Sequence, residues 1–192
     1  MARIPKDHLE SYFDHGVDIT NRKVFLLDDI EEEGIGRVIK GLYLMESQSV
    51  ENTIELYISS EGGTEYQMWL LFDVMRSLAA PVHTIAMGMC MSATPLLIAA
   101  GEPGHRYSMP NCWFMTHESS VELQGKTPDV NREIQHSIEM GDRWYEEMAR
   151  LTDRDADFWR AQVKDEGDWY FNADTAVELG IVDSLWSEKD GE

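Results

Sequence analysis

An uncharged run of fifteen residues, Met87 to Gly101, interrupts an otherwise strongly acidic sequence. A folded chain has to bury most of this stretch, MGMCMSATPLLIAAG, because exposing it would cost free energy in proportion to its apolar area. The run is too short and too interrupted by small residues to span a bilayer. Ser92 lies within it, where a predicted strand changes into a predicted helix. The fold must therefore build its core around this serine.

Length and composition are typical of one globular domain. The 192 residues are 43% hydrophobic and 27% charged, which is enough apolar material for a sizeable core. The formal net charge of −20 argues against nucleic-acid binding, since that requires a basic surface that displaces counterions from phosphates. No segment predicts insertion into a membrane. The acidic charge is typical of a solvated surface and identifies no partner.

The N-terminal residues and the cysteines predict a cytoplasmic location. Residues 1–18 mix acidic and basic side chains without an apolar core, so no signal peptide is predicted. Cys90 and Cys112 fit no zinc spacing, and we expect them to be small buried hydrophobic residues in a reducing compartment. No linker or low-complexity segment divides the chain.

Short apolar strands alternate with amphipathic helices, a pattern that predicts an α/β fold. Strands are predicted at residues 24–27, 54–58, 82–86, 113–116 and 181–185. Helices are predicted at residues 35–45, from 64 onward, at 128–151, at 155–164 and between 172 and 180. Two of the helices have clear apolar faces, formed by Ile35, Val38, Ile39, Leu42 and Met45 and by Met68, Leu71, Phe72, Met75 and Leu78.

Local signals mark several helix ends. Thr64 and Gln67 have the spacing of a capping box. Pro128 lies in the first turn of the longest predicted helix, where proline is tolerated. Asn172 is predicted to cap a short helix that ends at Gly180.

Two tight turns, SSEGG and GMCMS, join a predicted strand to a predicted helix. In α/β folds such turns lie at the carboxyl ends of strands, where ligands and catalytic groups collect. Ser92 could cap the following helix, or act as a nucleophile beside the free N–H groups at its start. Gly62 and Gly63 could form a simple turn, or an amide-rich loop that binds a developing oxyanion. The residues around Ser92 do not match G-x-S-x-G, so that motif adds no support.

A serine nucleophile needs a base, which is most often histidine. The six candidates are His8, His15, His83, His105, His117 and His136. The pattern favours His117 weakly, because it ends the predicted strand 113–116 and would project at the sheet edge. With 36 acidic residues in the chain, the pattern does not select a carboxylate to orient that histidine.

Four segments in the same order resemble the proteolytic subunit of Clp protease, the ClpP family of serine endopeptidases, between about residues 22 and 185. YISSEGG resembles the family's Y-I-N-S-P-G-G, and AMGMCMSATPLLIAAG resembles G-Q-A-A-S-M-G-A-x-L-L-A-A-G. MPNCWFMTHESSVELQG resembles L-P-N-S-R-x-M-I-H-Q-P…Q-G, and DWYFNADTAVELGIVDSLW resembles D-x-x-L-S-A-x-E-A-x-x-Y-G-L-x-D. Four such blocks in order form a specific signature.

The resemblance implies a catalytic triad of Ser92 as nucleophile, His117 as general base and Asp168 as the orienting carboxylate. It also places the oxyanion donors at the backbone N–H groups of Gly63 and Ala93. Asp168 comes from the resemblance alone. The implied reaction is hydrolysis of peptide bonds in unfolded polypeptides through an acyl-enzyme, and it requires no metal or cofactor.

Several positions depart from the family pattern. Glu61 replaces the proline before the two glycines, and Ala93-Thr94-Pro95 replaces Met-Gly-Ala, although a backbone amide is kept at Ala93. Gly167 occupies the place of an arginine that pairs between rings in many members. The first twenty residues do not resemble the family's axial-loop segment. Such divergence would suit a phage-encoded or otherwise specialised member.

The resemblance also implies an assembly and a partner. Family members stack two seven-membered rings around a chamber, with the helix at 128–151 as the handle between rings, and work with an AAA+ unfoldase. Glu55 and Ser77 replace aromatic residues that line the unfoldase-docking pocket, whereas Tyr57 is retained. An apolar anchor loses burial energy against a charged wall, so we hypothesise weak or altered docking. The implied domains are a divergent segment 1–21 and a single peptidase domain 22–192.

Two other function classes remain open from the sequence. One is a catalytically silent ring subunit, and retention of all three triad residues argues against it. The other is a crotonase-type acyl-CoA enzyme, which shares the spiral of ββα units and uses paired backbone amides but needs no Ser/His/Asp set. Labelling of Ser92 by a fluorophosphonate would favour the peptidase over the silent subunit. Acyl-CoA turnover that survives Ser92→Ala would favour the acyl-CoA enzyme over the peptidase.

Overall fold

The computed structural model describes His8, Tyr12 and residues 14–187, apart from the side chains of Asp165 and Glu166. Of the predicted N-terminal segment 1–21, residues 1–7, 9–11 and 13 lie outside the described residues. Eight strands form one mixed sheet in the described part of the chain. They are β1 (Val17–Asp18), β2 (Lys23–Leu26), β3 (Ile54–Ser60), β4 (Val82–Met91), β5 (Arg106–Ser108), β6 (Trp113–Thr116), β7 (Trp169–Asn172) and β8 (Ser184–Leu185).

Six helices surround this sheet in the same part of the chain. They are α1 (Glu32–Gln48), α2 (Glu65–Ser77), α3 (Thr94–Ala99), α4 (Thr127–Leu151), α5 (Ala156–Glu166) and α6 (Ala173–Glu178). Strands and helices alternate, so the predicted α/β class is confirmed. No helix within the described residues is long and apolar enough to cross a bilayer.

The strand β4 changes partners along its length, and this change shapes the site. The sheet order is β1-β2-β3-β4-β5-β8, with β6 and β7 branching from β4. The first half of β4 pairs in parallel with β5, from Thr84 to Ala86. Its second half pairs in parallel with β6, from Met89 to Met91, and β6 pairs antiparallel with β7. The predicted strand at 82–86 is therefore longer than expected, because non-local pairing extends it.

Apolar periodicity located most other elements. The strand at 113–116 has the predicted bounds, and the helix predicted at 128–151 begins one residue earlier. The strand predicted at 181–185 is wrong for its first three residues, since only Ser184–Leu185 pairs with a neighbour. Ile181 and Val182 are nevertheless buried, so their apolar character reports burial rather than strand pairing.

The helix ends follow the capping signals in part. The side chain of Asn172 accepts a hydrogen bond from the N–H of Thr175 and caps α6, as predicted. Thr64 is the N-cap of α2, but its side chain makes no capping hydrogen bond. Its hydroxyl lies 3.5 Å from the carbonyl of Ile30 instead. The prediction of a capping box is wrong, because the carbonyl of Ile30, from a distant part of the chain, competes for the Thr64 hydroxyl.

The uncharged run forms the centre of the core, as its composition requires. All six residues of α3 are buried, and the helix packs against β4, β3, α2 and α4. Cys90 and Cys112 are free and buried, with their sulfur atoms 4.0 Å apart. Burial raises the pKa of the Cys90 thiol, which keeps it neutral. Both cysteines therefore pack as small hydrophobic residues, as expected.

The long helix α4 is exposed along most of its length. Met148, near its end, is its one fully buried residue, and Ile134 and Ile138 are exposed. Its last turns pack on α5, where Trp144 meets the fully buried Trp159 edge-to-face. The helix is thus anchored at one end and projects an apolar stripe into solvent at the other.

Arg106 and Asp183 join three separate segments. The guanidinium donates two hydrogen bonds to the Asp183 carboxylate, at 3.0 and 2.6 Å, and one to the carbonyl of Leu151 at 2.7 Å. Burial opposes ionisation of Asp183, but the hydrogen bonds and charge of Arg106 outweigh it and lower its pKa. The pKa of Asp183 is therefore lower in the folded chain than in the unfolded chain. The ion pair stabilises the fold fully above the unfolded pKa, and this stabilisation is lost as pH falls through the folded pKa.

We expect Asp183→Asn to lower the free energy of unfolding at pH 7 by about 2–3 kcal/mol, because it leaves the buried Arg106 without its charge partner. The loss relative to the unmodified chain should shrink as pH falls below the ordinary Asp pKa of about 3.9 and through the lower pKa of folded Asp183. Urea denaturation at pH 7 and pH 3 measures both effects. Asp73→Asn, an exposed carboxylate on α2, serves as the control. An equal loss at both pH values would contradict this role of the ion pair.

Candidate active site

Ser92 lies between the end of β4 and the start of α3, in a strained backbone conformation. Its φ is 59°, in the left-handed region that side chains with a Cβ seldom occupy. Its N–H donates to the carbonyl of Met115 at 2.8 Å, which holds the turn against β6. Ala93 is the N-cap of α3, and no side chain caps that helix. The interpretation of Ser92 as a helix cap is therefore wrong.

The side chain of Ser92 contacts an imidazole. Its Oγ lies 2.7 Å from Nε2 of His117, a distance at which the hydroxyl donates to an unprotonated ring nitrogen. The parallel pairing of Met91 with Met115 sets the register that brings these two residues together. Sheet pairing, rather than proximity in sequence, thus creates the contact.

Asp168 approaches the other ring nitrogen of His117. Thr116 pairs with Trp169 in the antiparallel β6–β7 ladder, so the next residues along, His117 and Asp168, face each other. Asp168 Oδ1 lies 3.8 Å from Nδ1, which is longer than a hydrogen bond. The Asp168 side chain is 61% exposed and that of His117 is 27% exposed. The carboxylate is therefore within range to attract a charged imidazole without being locked to it.

The other described histidines lie elsewhere. His83, at the start of β4, stacks on His105 with ring centroids 4.1 Å apart. His136 on α4 contacts the hydroxyl of Tyr66 at 2.9 Å, and His8 contacts Thr20. Among the described residues, His117 is the histidine whose ring contacts the Ser92 hydroxyl.

Gly62 packs against Ser92, and Gly63 packs against the backbone of Ile30. Gly62 has φ +103°, and a Cβ there would lie 2.6 Å from the Cβ of Ser92. Gly63 has φ +151°, and a Cβ there would lie 2.4 Å from the carbonyl oxygen of Ile30. Both positions therefore require glycine. The N–H of Gly62 donates to Ser60 Oγ, whereas the bridge between Ile30 and Gly63 does not use the N–H of Gly63.

A groove of about 410 Å³ opens beside Ser92 and His117. Five separate parts of the chain form it: the turn before α1, the start of α2, the start of α3, the segment after β6 and the middle of α4. Its other lining residues are Glu31, Gly63, Thr64, Glu65, Tyr66, Met68, Ala93, Ser119, Ser120, Val121, Gly141, Trp144 and Tyr145. The groove has room for a peptide side chain next to the serine.

Comparison with known proteins identifies the family. A sequence model described as Clp protease matches residues 10–189. The chain belongs to the Clp protease family. The match begins inside the segment 1–21 that the sequence analysis separates, and the boundary at residue 21 stays a prediction. Membership in the Clp protease family supports a peptidase, and the α/β fold is consistent with it.

A curated relative is similar over most of its length. The ATP-dependent Clp protease proteolytic subunit of Deinococcus radiodurans is 29% identical over 167 residues, which cover 87% of this chain and 81% of the relative. At this identity the chain is a divergent member of the Clp protease family. No cluster of three or more His, Cys, Asp or Glu side chains able to hold a metal ion occurs among the described residues.

Sequence reasoning missed the charged wall of the groove. Glu65 directly follows Thr64 at the start of α2, and Ser119 lies just beyond His117. The sequence did contain a signal for Glu65 as a groove residue, since it lies only two residues after the glycine pair proposed to bind the oxyanion. The sequence does not show that Glu31, from another part of the chain, lines the same groove.

Proposed function

We propose that this Clp protease family member is a serine endopeptidase that hydrolyses peptide bonds of unfolded polypeptides. Ser92 is the nucleophile, His117 the general base and Asp168 the carboxylate that orients and stabilises the imidazole. The observation that supports this most strongly is the 2.7 Å contact between Ser92 Oγ and His117 Nε2. It joins a hydroxyl to a base at the mouth of a groove.

Acylation follows from this arrangement. As Ser92 Oγ attacks the substrate carbonyl carbon, Nε2 of His117 accepts the hydroxyl proton. The negative charge of Asp168 stabilises the imidazolium that forms. The same nitrogen then gives the proton to the leaving amine, and the C–N bond breaks.

We assign the backbone N–H groups of Gly63 and Ala93 as the donors that stabilise the oxyanion. Both residues line the groove together with Ser92, which supports this assignment. Hydrogen-bond donors that are already oriented stabilise the tetrahedral intermediate without reorganisation. This electrostatic stabilisation is usually a large part of the rate enhancement in acyl transfer. Water activated by His117 then hydrolyses the acyl-enzyme and regenerates the serine.

Labelling with a fluorophosphonate tests this proposal. We expect covalent attachment at Ser92, located by mass spectrometry of tryptic peptides, and loss of labelling in Ser92→Ala and His117→Gln. Ser184→Ala, an exposed serine on β8, should label normally. A chain that does not react at Ser92 would be a silent ring subunit instead.

Asp168→Asn should lower kcat by about 10²-fold, much less than loss of the serine or the histidine. The reason is geometric: the carboxylate is exposed and 3.8 Å from Nδ1, so it contributes charge more than a fixed hydrogen bond. Steady-state hydrolysis of a quenched fluorescent peptide measures this effect. Salt should reduce the rate of the unmodified enzyme and leave that of Asp168→Asn nearly constant. A loss as large as that of Ser92→Ala would contradict the prediction.

We further propose that the chain assembles into stacked seven-membered rings, a tetradecamer, in the cytoplasm. The exposed residues Ile134 and Ile138 on α4 support an interface with another copy. Light scattering should give a mass fourteen times that of the 22.0 kDa chain. A monomer at micromolar concentration would exclude the enclosed chamber.

Docking of an ATP-dependent Clp unfoldase is proposed to be weak. Tyr57 donates to Glu55 at 2.7 Å, and Lys23 lies 3.1 Å from the same carboxylate. Tyr57 also stacks on Phe25, with ring centroids 5.2 Å apart, so this part of the sheet combines aromatic rings with a partly buried charged pair. An apolar anchor would lose burial energy against those charges. Titration with such an unfoldase measures the affinity, and tight binding would refute the proposal.

A further inference from the structure

The groove beside Ser92 carries negative charge and no compensating cation in its lining. Among the described residues that line it, Glu31 and Glu65 are acidic and none is lysine or arginine. Glu65 belongs to the first turn of α2, two residues after Gly63, whose N–H group is assigned to the oxyanion. Gly63 and Glu65 line the same groove, so a substrate carbonyl held by that amide would lie in the groove that Glu65 borders.

A hydrogen bond orients the Glu65 carboxylate. The hydroxyl of Ser119 donates to Oε1 of Glu65 across the groove. This contact joins α2 to the segment that follows His117. A carboxylate accepts several hydrogen bonds, so one from Ser119 leaves capacity for a ligand cation. The side chain is half-buried, where a charge interaction is screened less than at an open surface.

The surroundings of Tyr145, which lines the same groove, are also rich in negative charge. Burial raises the pKa of Tyr145, and the charges of Glu118, Asp142 and Glu65 raise it further. Arg160 is the cation that opposes them. Its guanidinium is already engaged with Asp142 at 3.1 Å and with Asp157 at 3.2 Å. The guanidinium also lies 5.5 Å from the ring centroid of Tyr145, but it is not among the residues that line the groove, and two carboxylates already balance its charge.

The remaining walls suit a long, partly apolar side chain. Tyr66, Trp144 and Tyr145 contribute aromatic rings, and Met68 contributes a flexible thioether. Aromatic faces pack against the methylene stems of lysine and arginine and attract their cationic heads. An uncharged apolar side chain would instead desolvate the Glu65 carboxylate without pairing it, which costs free energy.

We propose that this groove selects lysine or arginine at the substrate residue whose carbonyl Ser92 attacks, with Glu65 as the specificity-determining residue. This inference rests on the proposed peptidase function. The Cα of that substrate residue is bonded directly to the attacked carbonyl carbon, so its side chain would lie in the groove next to Ser92. A lysine or arginine there pairs with Glu65 and stacks on the aromatic residues.

A set of quenched fluorescent peptides that differ only at this residue tests the inference with the full-length chain. The residue is lysine, arginine, norleucine or glutamate, and mass spectrometry locates the cleaved bond. We expect kcat/KM for lysine and arginine to exceed that for norleucine by about 10- to 100-fold. Raising the salt from about 0.1 M to about 1 M, which shortens the Debye length from about 10 to about 3 Å, should reduce this preference.

Variants of Glu65 separate a specificity role from a structural one. Glu65→Gln should lower kcat/KM for the lysine and arginine peptides by about tenfold and change that for norleucine by less than about threefold. Glu65→Lys should transfer the preference to the glutamate peptide. Asp73→Asn makes the same charge change on α2 outside the groove and should alter no ratio.

Each remaining outcome has a distinct meaning. If fluorophosphonate labels Ser92 and peptides are cleaved without a preference for basic residues, the specificity inference is wrong and the proposed function stands. If Ser92 is labelled but no peptide is cleaved, Ser92 is reactive but neither the endopeptidase function nor the specificity inference holds. If Glu65→Gln lowers hydrolysis of every peptide equally, Glu65 has a structural role and the inference is also wrong. If Ser92 neither labels nor cleaves, the proposed function fails and the inference fails with it.

Discussion

Replacing Ser92 by alanine is expected to lower kcat/KM for peptide hydrolysis by about 10⁴- to 10⁶-fold. The hydroxyl that contacts Nε2 of His117 at 2.7 Å is removed, and no covalent acyl-enzyme can form. His117→Gln should have a similar effect, because the hydroxyl then has no base. The double variant should be no slower than either single variant, since the two side chains act as a unit.

Folding should be almost unchanged in Ser92→Ala. Alanine tolerates φ 59° about as well as serine does, and the backbone hydrogen bond to Met115 remains. We expect the free energy of unfolding to change by less than about 1 kcal/mol. Thermal denaturation followed by circular dichroism, together with single-turnover assays at high enzyme concentration, measures both quantities. Near-normal turnover in Ser92→Ala or His117→Gln would show that the site assignment is wrong.

Gly63→Ala is expected to lower kcat by about 10²- to 10³-fold and the free energy of unfolding by about 1–3 kcal/mol. The new Cβ would lie 2.4 Å from the carbonyl oxygen of Ile30, so the backbone has to move. That movement displaces the N–H proposed to stabilise the oxyanion and disrupts the bridge between Ile30 and Gly63. The two losses therefore have one steric cause.

Gly36→Ala provides a matched control for the added methyl group. Gly36 lies inside α1, and nothing lies within 4 Å of the position its Cβ would take. Alanine there should keep activity and stabilise the helix by about 0.5–1 kcal/mol. If a folded Gly63→Ala protein hydrolyses peptides at the normal rate, then Gly63 does not supply an oxyanion donor.

Several patterns that depend on neighbours in the chain gave correct predictions. The strand Trp113–Thr116 and the long helix Thr127–Leu151 follow from apolar periodicity and from proline in a first turn. Asn172 caps α6 because its partner is only three residues away. These features are predictable because each is decided over a few residues, whatever the rest of the chain does.

Features that depend on residues far apart in the sequence were predicted less accurately. The strand β4 runs to Met91 because β6 pairs with its second half. The hydroxyl of Thr64 approaches the carbonyl of Ile30 rather than completing a capping box. Both corrections have the same origin, since a tertiary hydrogen bond competes with the local alternative and wins.

The amino-acid sequence alone determined the α/β class, the buried run around Ser92 and, through resemblance to the Clp protease family, the three residues proposed for catalysis. Tertiary structure decided how these residues meet: the β4–β6 register brings Ser92 to His117, and the β6–β7 register brings Asp168 within 3.8 Å of the ring. It also decided that Glu65 faces the same groove. Strand pairing joins residues far apart in the chain through backbone hydrogen bonds that any residue except proline can donate, so the side-chain pattern carries little information about it.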